Sequence, residues 1–161
     1  MTRLYSSIQI LRPLNMILSI VSVLVAAWLI GGLFSPTLPC AVLVVCFFVG
    51  ASNILNDVLD VNIDKVNRSG RTLPSGRLSI RHAIGIMGML YAAGIISATY
   101  LQPMGKHIAF IIVLPLLVLY TPLFKSLPFI GNVVVGILLG LVFIFTEGAI
   151  HGNVDKMWIP F

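Results

Sequence analysis

The run from Pro13 to Asn56, PLNMILSIVSVLVAAWLIGGLFSPTLPCAVLVVCFFVGASNILN, carries no charged side chain. Its 44 residues are about twice what one membrane-crossing helix needs. Gly31-Gly32, Pro36 and Pro39 interrupt it near the middle, which predicts two helices, about 13–33 and 38–58. Working outward, a third apolar stretch covers about 83–101 and stops at Gln102-Pro103. A fourth, about 108–122, is short and contains Pro115 and Pro122. A fifth, about 127–147, has glycines at 131, 136 and 140, small residues that let membrane helices approach closely. The predicted fold is all-α: one domain over 1–161, a polytopic bundle of about five transmembrane helices with a cytoplasmic loop at about 59–82. A cleaved signal peptide fits poorly, since the first apolar stretch is too long and no small-residue cleavage site precedes the second. No linker, low-complexity segment or internal repeat interrupts this plan.

Composition agrees. Apolar residues make up 58% of the chain, charged residues 9%, and mean hydropathy is +1.06. Soluble domains carry roughly a quarter charged residues, so this chain could not cover a soluble surface. The same figures exclude a disordered chain, a nucleic-acid module and a secreted disulfide scaffold. Cys40 and Cys46 are spaced for neither a redox pair nor a zinc site and are read as packing residues. The net charge of +5 reports topology. With a cytoplasmic N-terminus, that side holds Arg3, Arg12, Lys65, Arg68, Arg71, Arg77, Arg81 and Lys125, against Lys106 and Lys156 on the other.

Three of the five acidic residues fall within eight positions, Asp57, Asp60 and Asp64, at the cytoplasmic end of the second predicted helix. At about 100° per residue, Asn53, Asn56, Asp57, Asp60 and Asp64 share one helix face. Three carboxylates on one stripe repel each other, and each costs about 2.5–3.5 kcal/mol at bilayer depth. A hard divalent cation would offset that; oxygen-only ligands favour Mg²⁺ or Ca²⁺, and Mg²⁺ takes one or two carboxylates together with substrate phosphate oxygens. A solvated helix end and a proton or cation path are the competing readings. Asp60-Val-Asn62-Ile-Asp64 begins like an EF-hand loop but has Lys65 where that loop needs glycine and Arg71 where it needs glutamate. Residues 65–81, KVNRSGRTLPSGRLSIR, follow with five basic residues and turn formers, a plausible flexible clamp for a polyanion such as diphosphate. Arg68 and Arg71 are favoured for that role, Arg77 and Arg81 for topology and headgroup contact.

Asn56-Asp57-Val-Leu-Asp60-Val-Asn-Ile-Asp64-Lys65-Val-Asn67-Arg68, then Arg71-Thr-Leu-Pro74-Ser75-Gly76-Arg77, resembles the first aspartate-rich motif of the UbiA superfamily of intramembrane prenyltransferases. Leu11-Arg12-Pro13-Leu-Asn15 and Tyr120-Thr-Pro-Leu-Phe-Lys125 are similar to further family features. The form of the motif looks most like the branch that adds a second geranylgeranyl group to geranylgeranylglyceryl phosphate in ether-lipid synthesis. Sister branches prenylate aromatic acceptors: 4-hydroxybenzoate, dihydroxynaphthoate or homogentisate.

The resemblance implies a nine-helix fold around a lipid-facing cavity, with this chain supplying five helices and the first of two aspartate-rich motifs. After Glu147 the only acidic residue is Asp155, so a missing C-terminal half or a partner subunit is expected to supply the second motif. By residue, the resemblance implies Mg²⁺ held chiefly by Asp60 and Asp64, with Asn56 and Asp57 supporting. Arg68, Arg71, Lys125, Arg12 and Asn53 would meet the diphosphate, Arg12 alternatively the acceptor's phosphate. Tyr120 would stabilise the allylic cation or orient the substrate; an interfacial tyrosine is the competing reading. The partners implied are a prenyl diphosphate, a lipid or aromatic acceptor and the bilayer, with no nucleic acid. Asn15 and Asn132 are read as helix–helix hydrogen-bonding residues before cavity residues. His82, His107 and His151 sit at span ends on both sides and receive no chemistry. A catalytically silent truncated membrane protein and a cation-transport component are the alternative functions.

Overall fold

The computed structural model describes residues 3–125 and 127–157, which are helical with short connections and no strand. A short helix, α1 (Arg3–Gln9), precedes α2 (Pro13–Leu29), α3 (Leu38–Leu59) and a one-residue step into α4 (Val61–Asn67). After the basic loop come α5 (Ile80–Ala98), α6 (Pro103–Phe124) and α7 (Pro128–His151). Prolines 13, 39 and 103 sit in the first turns of α2, α3 and α6, where the missing N–H has no intrahelical partner to lose.

Helix boundaries depart from the sequence reading for identifiable reasons. The predicted helix to residue 33 ends at Leu29. Gly31 (φ 76°) takes the left-handed conformation, its N–H donates to Trp28 O (3.1 Å) and the Gly32 N–H reaches back to Ala27 O (2.7 Å). That is a Schellman closure, which satisfies carbonyls the helix end would otherwise orphan. The predicted 108–122 element extends over Pro103–Phe124, because π-helical stretches at Ile108–Val113 and Tyr120–Phe124 carry the rod past Pro115 and Pro122. The last element does not stop at Glu147 but continues to His151. Buried Glu147 accepts the N–H groups of Lys156 (2.9 Å) and Met157 (2.8 Å), which fold the segment after Gly152 back over the helix end. Satisfied in this way, the carboxylate does not break the helix.

α3 is the central element. It packs along α5 and also touches α2, α6 and α7. Val23, Ala27, Ala41, Val44, Phe48 and Phe145 belong to one core cluster. A second, near the other end, joins Ile10, Ile54, Val61, Leu73, Leu78 and Ala83. Large apolar side chains such as Leu14, Trp28, Met89, Ile111 and Leu139 point outward, an arrangement that suits lipid and not water. Among the described residues four helices are long and apolar enough to cross a membrane, namely α3, α5, α6 and α7. α2, with 17 residues, spans about 25 Å and lies at the lower limit of a crossing. The chain is an integral membrane protein.

One contact sets the separation of α6 and α7. A Cβ built on Gly105 would stand 2.5 Å from Ala149 Cα and 2.8 Å from its backbone nitrogen. Both are main-chain atoms that cannot turn aside. Gly105→Val is therefore expected to destabilise the bundle by about 1–3 kcal/mol through overpacking. Thermal unfolding in detergent checks this, with Gly136→Val as the control, since a Cβ on Gly136 meets nothing within 4 Å.

Candidate active site

At the end of the bundle where α2 starts, α3 passes into α4 and α6 finishes, a polar cavity of about 570 Å³ opens. Asp60 is the one residue between α3 and α4, with φ −84° and ψ −2°. Its N–H donates to Asn56 O (3.0 Å), and Asp64 N–H donates to Asp60 O (2.8 Å). The stripe therefore runs on past the helix end, and Asn56, Asp60, Asp64 and Asn67 reach the cavity wall together. Arg12 closes it from α2, Arg68 and Arg71 from the loop, and Tyr120 and Lys125 from the end of α6.

Tyr120 and Lys125 share this wall because of the π turn. Five residues along an α-helix lie about 140° apart. Here the Lys125 N–H donates to Tyr120 O (2.9 Å), an i→i−5 bond that brings position 125 back over position 120.

The carboxylates do not stand as a repelling row. Lys125 pairs with Asp60, Arg12 pairs with Asp57, and Arg71 Nη1 bridges Asp64 Oδ2 (2.7 Å) and Asp57 Oδ1 (3.4 Å). Asp57 and Asp64 are buried, so these pairs meet the requirement that charge taken out of water be compensated. Four cations face three carboxylates, leaving one positive charge in excess. Arg68 is exposed at the cavity and, among the described residues, pairs with no other side chain, which suits it to an incoming anion.

Among the described residues no three acidic, histidine or cysteine side chains converge as a metal-binding group. The oxygen donors that the cavity wall offers a hard cation are those of Asp60, Asp64 and Asn56, whose Oδ1 is buried without a hydrogen-bond partner among the described residues. Two carboxylates and one orphaned amide oxygen fit Mg²⁺, which leaves its remaining positions to water and substrate oxygens.

Two expected site residues are placed elsewhere. Asn53, expected at the diphosphate, is buried with its Nδ2 donating to Leu11 O (2.8 Å), outside the cavity wall. Asp57, expected to support the metal, is likewise buried outside the cavity wall, where Arg12 and Arg71 pair with it. The basic loop is anchored to the bundle. Leu73 and Leu78 anchor it in the core, Gly76 N–H donates to Leu73 O (3.0 Å), and Arg77 bonds Ser75 Oγ (2.9 Å) and Gln9 Oε1 (3.2 Å). The three histidines stay apart: none lines this cavity, and His151 contacts Ile30 O.

One helical turn away lies an apolar chamber of about 360 Å³, walled by α2, α3, α6 and α7. Asn15 on α2 and Leu117 on α6 line it, each three residues from Arg12 and Tyr120 in the polar cavity. Asn15 thus faces a cavity, whereas Asn132 is exposed and lines neither. Ser19 and Ser22 also reach the chamber, with hydroxyls donating to the carbonyls of Asn15 and Leu18. The i, i+4, i+7 spacing of Asn15, Ser19 and Ser22 was the available sequence signal for this wall.

An apolar chamber beside a cavity of paired acids and bases, set among helices of membrane-crossing length, defines a class: an integral membrane protein with an amphipathic site. The profile described as the UbiA prenyltransferase family matches residues 19–161, and the chain belongs to that family. It is similar to the digeranylgeranylglyceryl phosphate synthase of Natronomonas pharaonis, 33% identical over all of this chain and 58% of the relative. The synthase of the same name from Haloquadratum walsbyi is 36% identical over 92% of this chain and 52% of the relative. A solved structure concerned with digeranylgeranylglyceryl phosphate synthase in membranes superposes with a TM-score of 0.85 at 26% identity, covering 92% of this chain and 54% of that one. The chain thus spans about half the length of the relatives it matches.

Proposed function

We propose that this chain forms part of an intramembrane prenyltransferase that moves a geranylgeranyl group from its diphosphate to geranylgeranylglyceryl phosphate. The observation that carries the reading is the stacking of the two cavities: acids and bases for a diphosphate lie one turn from an apolar chamber for its prenyl chain. The names of the relatives support the lipid acceptor over an aromatic one. A cation path is disfavoured, because each stripe carboxylate is paired with a cation and the chamber beyond is apolar.

In the proposed reaction the allylic C1–O bond breaks, diphosphate leaves, and the acceptor's hydroxyl oxygen bonds to C1 as its proton is released. Asp60, Asp64 and Asn56 would hold Mg²⁺, which supplies neutralisation of the leaving group's charge. Arg68, Arg71 and Lys125 bind the diphosphate and favour its departure, since their charge sits where negative charge develops. Tyr120, in the polar cavity and three residues from Leu117 of the chamber wall, orients the allylic end. The chamber excludes water from the developing cation. A second acidic motif is assigned to a further segment or a partner subunit. The orientation that accompanies this reading has five crossings, with the N-terminus and the aspartate-rich end cytoplasmic, as the basic-residue asymmetry favours.

The test is transfer of labelled geranylgeranyl diphosphate in vesicles holding the full-length protein, with geranylgeranylglyceryl phosphate and 4-hydroxybenzoate offered separately. Product on the lipid, abolished by EDTA and restored by Mg²⁺, is expected. Product on the aromatic acceptor alone would replace the acceptor assignment, and turnover indifferent to EDTA would remove the metal.

A further inference from the structure

The corner between α1 and α2 is held in an unfavourable conformation. Arg12 has φ 54° and ψ 71° and is, among the described residues, the one non-glycine residue with positive φ. A side chain disfavours this region, and the following Pro13 narrows the preceding residue's choices further. Strain of this kind persists only where surroundings over-determine it, and it clusters at functional sites. Two contacts do so here, both from α3. Asn53 Nδ2 holds Leu11 O at 2.8 Å, and one turn along the helix Asp57 Oδ1 takes the Arg12 guanidinium. Asn53 and Asp57 are both buried and neither lines the polar cavity, whereas Arg12 does.

We propose that Asn53 and Asp57 form a bracket that keeps the Leu11–Arg12 corner left-handed and so aims the Arg12 guanidinium into the cavity as a ligand for a phosphate-class anion. The inference rests on the prenyl-transfer reading. It divides the polar stripe in two: Asn56, Asp60 and Asp64 serve the cavity directly, and Asn53 and Asp57 are positioning residues acting chiefly through Arg12, Asp57 sharing its Oδ1 with Arg71 at the longer distance of 3.4 Å. Arg12 approaches from α2, beside Asn15 and the mouth of the apolar chamber, and so meets the anion from a different element than Arg68 and Arg71. The anion is the prenyl diphosphate or the acceptor's phosphate, and the experiment separates them.

Full-length protein in nanodiscs is compared as wild type, Arg12→Gln, Asp57→Asn, the double variant and Asp60→Asn, with Arg12→Lys as a milder second variant. Three quantities are read: Mn²⁺ affinity by electron paramagnetic resonance, affinity for a non-hydrolysable geranylgeranyl thiolodiphosphate or for glycerol 1-phosphate, and melting temperature. Asp57→Asn is expected to leave Mn²⁺ affinity within twofold of wild type. It should weaken one of the two anions about tenfold, as Arg12→Gln does, and the double variant should be no weaker than Arg12→Gln alone. Whichever anion responds identifies the Arg12 partner. An Mn²⁺ affinity as low in Asp57→Asn as in Asp60→Asn overturns the inference, as do losses from Arg12 and Asp57 that multiply. A wild-type protein that neither binds the thiolodiphosphate nor transfers a prenyl group removes the prenyl-transfer reading instead. The bracket then rests on the melting cycle alone, where additive shifts for Arg12 and Asp57 overturn it.

Discussion

Asp60→Asn and Asp64→Asn are each expected to lower Mg²⁺-dependent prenyl transfer by about 10²–10³-fold, the scale of losing one electrostatic stabiliser of charge developing in the transition state. Both carboxylates line the polar cavity within one turn of each other, beside the unpartnered Oδ1 of Asn56. Asparagine keeps the shape and removes the anion that a hard cation needs. The two variants should differ in a second respect. Asp60→Asn releases Lys125, which can then meet diphosphate, so analogue binding without metal should persist or strengthen. Asp64→Asn deprives Arg71 of its closer carboxylate while Asp57 Oδ1 remains at 3.4 Å, so Arg71 stays partly tethered. Membrane insertion and yield should match wild type in both. Transfer rates with Mg²⁺ titrated check the prediction. Wild-type rates in both variants would eliminate the metal site.

The second large effect is expected at Arg71, and it combines stability with binding. Its guanidinium is the shared partner of two buried carboxylates, Asp57 and Asp64. Removing one member of a fully enclosed pair costs about 3–5 kcal/mol, because the other is left charged and unpaired. The Arg71 side chain is 28% exposed, so solvent moderates the loss, and Arg71→Leu is expected to destabilise by about 2–3 kcal/mol. Arg71→Lys should fall between wild type and Arg71→Leu, since the ammonium keeps the charge but its stem does not place it where Nη1 reaches both carboxylates. Arg68→Gln is the contrast. With no side-chain partner among the described residues, it should leave stability within about 0.5 kcal/mol while weakening diphosphate binding. Thermal unfolding measured beside analogue affinity separates the two arginines. Equal stability losses at 68 and 71 would contradict the pairing.

Much of the fold was legible because membrane insertion leaves a coarse signal. A backbone in hydrocarbon must satisfy its own hydrogen bonds, so long apolar runs become helices whatever their neighbours are. That Asn56, Asp60 and Asp64 share a wall was legible for a similar reason: an α-helix fixes the direction of each side chain about its axis, and the Asp64 N–H to Asp60 O bond carries that direction across the one-residue step at Asp60. Ends were harder. The stop at Leu29 depends on two backbone bonds from Gly31 and Gly32, and the continuation past Glu147 depends on N–H groups of residues 156 and 157. Neither leaves a hydropathy trace.

The amino-acid sequence by itself determined an all-helical membrane chain with an acidic stripe running into a basic loop, and the family to which that pattern belongs. Tertiary structure alone decided how the stripe is divided. Helical periodicity gives a side chain's azimuth but not what stands opposite, so Asn53 and Asp57 were indistinguishable from Asn56 and Asp60 until the Leu11–Arg12 corner was placed against them. The π turn that stacks Lys125 on Tyr120 breaks the period from which any azimuth would be calculated. The bridging of Asp57 and Asp64 by Arg71 depends on a loop whose path is set by burial of Leu73 and Leu78 in a core drawn from α3, α4, α5 and the corner between α1 and α2.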